Sequence, residues 1–175
     1  IPESVTTIRN YAFHGCSSLT SIIIPESIES IGDGVFRDCC SLTSINIPEN
    51  ITSIESQTFW GCSSLTSITI PDSVTSIKES ALRDCSSLTS INIPNSVASI
   101  EHFAFYGCNN LTSITIPNSV KSIGEEAFKG CTGTLIINGI YRFNKFRNYS
   151  LHPSSSSHNP LKGSEFTEIV ISESV

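Results

Sequence analysis

The stretch GCSSLTSITIP, residues 61–71, decides how the rest of the chain is read. Its centre, CSSLTSI, recurs without a change of letter from Cys16, Cys62 and Cys85. Six of the seven cysteines stand at 16, 39, 62, 85, 108 and 131, a constant step of 23 residues. The dipeptide Ile-Pro keeps the same step from residues 1, 24, 47, 70, 93 and 116. A fixed period of this length marks a solenoid, in which units stack because none can bury its apolar face alone.

Within one unit, Ile68 and Ile70 alternate with Ser67 and Thr69, the period-two pattern of a strand with one buried face. Pro71 ends that strand because it has no N–H for the ladder. Val74 and Ile77 are β-branched and three residues apart, which fits a short extended or 3-10 piece on the back of the coil. The runs 55–60 and 124–129 predict a turn or two of helix that drops an aromatic side chain inward. That column reads Phe13, Phe36, Phe59, Leu82, Phe105 and Phe128. The expected class is α/β: a curved right-handed coil with a parallel concave sheet, and short strands, 3-10 or helical turns on the convex side.

Taken together, IP-x-S-V-x-S-I-x-x-x-A-F-x-G-C-x-x-L-T-S-I-x-I, fullest in residues 93–116, resembles the BspA-like leucine-rich repeats. That resemblance implies a solenoid displayed on a cell surface or secreted, acting as a non-catalytic adhesion or interaction module. Host matrix protein, another cell or a glycan would be the ligand. The alternative is a structural spacer that displays another domain and itself binds nothing. For function the resemblance says less than for fold, since solenoids serve many partners.

Residues 1–175 read as a single repeat domain, with regular coils over 1–137. An irregular coil with a Ser/Pro-rich insertion follows at 138–165, and a further repeat begins at 166–175. After Cys131 the spacing slips: Cys108 to Leu111 is three residues, whereas Cys131 to Leu135 is four. The extra chain is placed in the Pro/Ser loop at 152–160. Both ends fall at the same phase of the coil and lack a polar capping repeat, so the chain is expected to be a piece of a longer array.

Composition excludes several classes. A net charge of −6 in 175 residues, only 15% of them charged, argues against nucleic acid or an anionic membrane as partner. No apolar run approaches the length of a membrane span, so no direct membrane insertion is expected. No metal site or cofactor is expected, because no CxxC with matching His exists. No G-x-S-x-G, phosphate loop or H-E-x-x-H marks a catalytic residue. The four histidines, at 14, 102, 152 and 158, are too scattered in the repeat to share a site. A monomer is expected.

Two surfaces are candidates for binding. The concave sheet would expose Ser21, Ser44, Ser67, Ser90 and Ser113 beside Asn46, Thr69, Asn92 and Thr115, a polar face for a glycan or extended peptide, or simply a solvated sheet. The lateral edge would carry His14, Arg37, Trp60, Arg83, Tyr106 and Lys129, rings interleaved with cations that can stack. Trp and Tyr would anchor a partner there, or merely cover the core. Asp38 and Asp84 replace the Gly that follows this column elsewhere, and Asp tolerates the left-handed backbone such a Gly suggests. The ladder cysteines read as buried thiols. Cys40, in a serine's place, is expected to be exposed. Asn50, Asn110 and Asn148 match glycosylation acceptors, as a Ser/Thr-rich chain does by chance.

Overall fold

The structure is a computed structural model describing residues 1–138, 161 and 163–172. The Pro/Ser loop at 152–160, His152, His158 and the Asn148 acceptor lie outside them. The described strands are β1 (Thr7–Ile8), β2 (Ser30–Ile31), β3 (Ser44–Asn46), β4 (Ser53–Ile54), β5 (Ser67–Thr69), β6 (Ser76–Ile77), β7 (Ser90–Asn92), β8 (Ser99–Ile100), β9 (Ser113–Ile116), β10 (Ser122–Ile123), β11 (Thr132–Asn138) and β12 (Glu165–Ser172).

The coils from β3 to β10 send one strand to the front and one to the back. The front is a six-stranded parallel sheet ordered β12-β11-β9-β7-β5-β3, and the back a four-stranded one ordered β10-β8-β6-β4, with β1 and β2 paired beside it. Register explains the repetition. Ser67 pairs with Ser44 on one side and Ser90 on the other, and Ile68 with Ile45 and Ile91. A 23-residue step therefore stacks like on like. In β5, Ser67 and Thr69 are exposed and Ile68 is buried, the alternation read from the sequence.

The helical turns expected at 55–60 and 124–129 are absent, and no helix occurs among the described residues; there the architecture is a parallel β-solenoid. The reason lies in the backbone. Tyr11, Gly34, Gln57, Ser80, Phe103 and Glu126, again 23 apart, all have φ between 51° and 59°, which no right-handed helix accepts. Successive N–H groups then point in alternate directions. Gln57, Phe59 and Gly61 donate to Glu79, Ala81 and Arg83 of the next coil at 2.8–2.9 Å, while Thr58, Trp60 and Cys62 donate three residues back.

Three side-chain ladders tie each coil to the one before it. Cys62 Sγ donates to the Phe36 carbonyl at 3.1 Å, Cys85 to Phe59 at 3.2 Å and Cys108 to Leu82 at 3.2 Å. Each such carbonyl also accepts a backbone N–H, Cys39 for Phe36. Thr43, Thr66, Thr89 and Thr112 donate Oγ1 to the preceding threonine carbonyl at 3.2–3.4 Å. Ser27, Ser73 and Ser96 do likewise toward Val5, Ile51 and Val74. Inside, the Phe column stacks nearly parallel, with centroids 5.5 Å apart for Phe13 and Phe36, 5.7 Å for Phe36 and Phe59, and 5.6 Å for Phe105 and Phe128. Leu82, fully buried, interrupts the stack.

The slip after Cys131 runs opposite to the expected one. Leu135 pairs with Ile114 and Ile137 with Ile116, so Leu135 fills the isoleucine position and not that of Leu111. The coil is shortened, not lengthened. Gly133, at φ 82°, makes the shortcut: an added Cβ would come within 2.3 Å of the Thr112 carbonyl.

Truncating Phe105, fully buried, to Ala should cost about 3–5 kcal/mol in chemical denaturation, whereas Ser67→Ala should change stability by less than about 0.5 kcal/mol. A large loss for Ser67→Ala would show the faces exchanged. The thiols supply two further tests. Burial pushes Cys39 up to about 11 and Cys131 to about 12, from an ordinary 9.0, and likewise holds Cys62, Cys85 and Cys108 well above that ordinary value. The folded chain keeps these thiols neutral where the unfolded chain ionises them. That stability is complete below pH 9 and is lost as pH climbs toward the folded values. The melting temperature should therefore fall between pH 8 and 10, less steeply in Cys108→Ala; equal slopes would contradict the buried ladder. Cys16, in the first coil, is exposed and so departs from the reading of the ladder cysteines as buried. At pH 8, iodoacetamide should label Cys16 and the exposed Cys40 in the folded chain, and the other five thiols only after denaturation, read by mass spectrometry.

Candidate binding surfaces

The lateral edge forms because each of its residues follows an inward Phe or Leu by one position and precedes a residue in the left-handed region. Asp38 and Asp84 have φ 58°, and Gly15, Gly61, Gly107 and Gly130 have φ 71–78°, so the aspartates occupy the glycine conformation as the sequence reading expects. Held in this way, the side chains stack along the solenoid. Arg37 lies 4.0 Å from the Trp60 ring centroid, and Arg83 lies 4.6 Å from the Trp60 centroid and 4.5 Å from that of Tyr106. Lys129 closes the series 5.3 Å from Tyr106. Ring and cation alternate from Arg37 to Lys129, each contact worth roughly 0.5–1 kcal/mol at such an exposed site.

Most polar groups along this edge are answered within it, the buried Arg37 Nε being one that makes no hydrogen bond. Asp84 Oδ2 accepts from Trp60 Nε1 at 3.1 Å and lies 3.4 Å from Arg83 Nε. Asp38 stands 3.5 Å from Arg37 Nε and 3.8 Å from His14 Nδ1. Arg37 also donates to Gln57 Oε1 at 2.8 Å. Lys129 Nζ donates to Glu126 Oε2 at 2.9 Å, and that bond raises the Lys129 pKa.

Sequence reading overlooked Gln57, Phe103 and Glu126. All three belong to the left-handed column three residues before the edge. Phe103 lies 5.8 Å from Arg83 and meets Tyr106 edge-on at 6.1 Å. Their period of 23 was the available signal, but only Gly34 among them has the residue type that advertises a positive φ.

The front sheet differs. Ser44, Ser67 and Ser90 are exposed in one column and Asn46, Thr69 and Asn92 in the other, with Ser113 and Thr115 half-buried. Strands about 4.8 Å apart set the spacing along each column. The threonine hydroxyls one residue before the serines are committed to the inter-coil ladder. Among the described residues, the Ser and Asn/Thr side chains of these two columns carry no internal hydrogen bond. Ser21 is exposed, and beside it Ile23, 84% exposed, takes the place of the Asn or Thr. Cys40 is exposed as expected, with Sγ 3.5 Å from the Asp38 carbonyl.

Comparison with known proteins follows this geometry. The BspA type leucine rich repeat region matches in six copies, over residues 1–101 and 81–172. No curated protein matches the chain. Among solved structures, a leucine-rich repeat protein of T. pallidum shares 28% identity at a TM-score of 0.72, over 85% of this chain and 78% of that one. One from Eubacterium ventriosum shares 29% identity at 0.68, over 75% of this chain and 36% of its own length. A leucine rich cell surface protein from Faecalibacterium prausnitzii shares 32% at 0.57, over 76% of this chain and 43% of that one. This chain thus spans less than half of the last two. With its period, its register and its matched repeats in agreement, the chain belongs to the BspA-type leucine-rich-repeat family.

Proposed function

We propose that the chain is a non-catalytic interaction module of a surface or secreted protein, and that its front sheet engages the ligand. One observation carries the assignment to that face. The Ser column and the Asn46, Thr69, Asn92 and Thr115 column keep their hydrogen-bonding groups uncommitted, while the lateral edge directs its donors and ring faces at one another. A ring covered by a guanidinium has less face to offer a partner. The extracellular setting draws on the cell-surface relative and on the family. A glycan, a host matrix protein and another cell's surface all fit a neutral polar face. A spacer is the second reading, favoured by the internally neutralised edge, which stiffens a rod without needing a partner.

The test is a screen of the purified chain against matrix proteins and a glycan array, run beside Ser67→Arg/Ser90→Arg and Trp60→Ala. The expected result is a hit that the double variant loses and Trp60→Ala retains. A hit lost only in Trp60→Ala would move binding to the edge. No binding at high micromolar concentration would favour the spacer.

A further inference from the structure

A second feature lies on the back of the coils. The column just after the back strands reads Arg9, Gly32, Glu55, Lys78, Glu101 and Gly124. Where it is filled, opposite charges meet: Lys78 Nζ lies 3.3 Å from Glu101 Oε1. At Gly32 the series is interrupted, leaving Arg9 of the first coil and Glu55 of the third separated by two strand spacings, about 9.6 Å. The interruption is a groove of about 590 Å³, floored by Ile8 and Ile31 and bordered by Arg9, Asp33 and Glu55. Its size falls within the range of small-molecule sites.

The groove is held open from within. Asn10 Oδ1 accepts the Asp33 N–H at 3.0 Å, and an added Cβ at residue 32 would meet that oxygen at 2.2 Å. Only glycine leaves both the bond and the space intact. The charges around it are available. Among the described residues, the Arg9 guanidinium and the Asp33 carboxylate make no hydrogen bond or ion pair, and Glu55 is engaged only by the Ser53 hydroxyl.

We propose that this groove binds a small zwitterion of the amino-acid type, a free α-amino acid or a short peptide with free termini, carrying an apolar side chain. The planar fork of Arg9 suits a carboxylate. An ammonium group is answered by Asp33 and Glu55, and the apolar body lies along the narrow margin of Ile8 and Ile31 left at the surface, 5% and 7% exposed. A ligand of one charge leaves one pole of the groove unanswered, which is the source of its selectivity. This site is separate from the front sheet and stands or falls independently of it.

The experiment is an amide-resolved NMR titration of the whole chain with leucine, N-acetyl-leucine and leucinamide, using wild type, Arg9→Gln and Asp33→Asn. Leucine should give saturable shifts confined to Ile8, Gly32, Asp33 and their neighbours. N-acetyl-leucine, lacking the cation, and leucinamide, lacking the anion, should bind about tenfold more weakly, as loss of one charged hydrogen-bonded partner implies. Arg9→Gln should erase the preference for leucine over leucinamide, and Asp33→Asn should reduce the preference over N-acetyl-leucine, Glu55 retaining the rest, with unchanged melting temperature in both. No shifts at millimolar leucine, equal binding of all three compounds, or unaltered preferences in the variants would each overturn the proposal.

Discussion

A carbonyl that must serve two donors underlies this solenoid. The Phe36 oxygen accepts the Cys39 N–H of its own coil and the Cys62 thiol of the next, and the same thiol bond recurs at Cys39, Cys85, Cys108 and Cys131. An aliphatic side chain of similar size would fill the space but leave that second bond unmade. Serine would make it while placing a more polar hydroxyl in an apolar core. A thiol is small, nearly apolar and still a donor. The threonine ladder repeats the arrangement, each threonine giving both its N–H and its hydroxyl to the preceding threonine carbonyl. The recurring CSSLTSI is thus a set of inter-coil bonds as well as a packing pattern.

Because every coil donates to its neighbours, the backbone between the two strands need not be helical. Left-handed residues at two positions per coil aim alternate N–H groups along the solenoid axis. Strain at the non-glycine ones, of order 1 kcal/mol each, is offset by hydrogen bonds that no isolated coil could form. That exchange also fixes the lateral edge, whose residues lie between the inward Phe and the second left-handed position. The edge is stacked because its backbone is.

Much of this was legible in the sequence. The period, the in–out alternation of Ile68 with Ser67 and Thr69, and the left-handed aspartates at 38 and 84 all follow from residue type and spacing. What misled was the run 55–60, whose composition suits a helix while Gln57 lies in a left-handed turn that its side chain does not announce. Leu135 was misplaced for a related reason: counting residues from Cys131 assumes an ordinary path, and Gly133 takes a shorter one. On the candidate surfaces, residue types predicted that rings and cations would meet. They could not predict how completely Asp84, Gln57 and Glu126 would answer them, because those partners come from other columns.

The edge also has a longer repeat than the core. From the first coil to the fifth, His14, Trp60 and Tyr106 are each followed by glycine and Arg37 and Arg83 by aspartate, so the pattern there closes only every second coil; Lys129, followed by Gly130, departs from it. A chain of near-identical units grows and shrinks by unequal exchange between its own repeats. Gain or loss of one coil leaves the Ile, Phe and Cys columns in phase but sets arginine beside arginine, or tryptophan beside tyrosine. Gain or loss of a pair preserves everything. Along this stretch the edge therefore repeats by the coil pair, whereas the core repeats by the single coil.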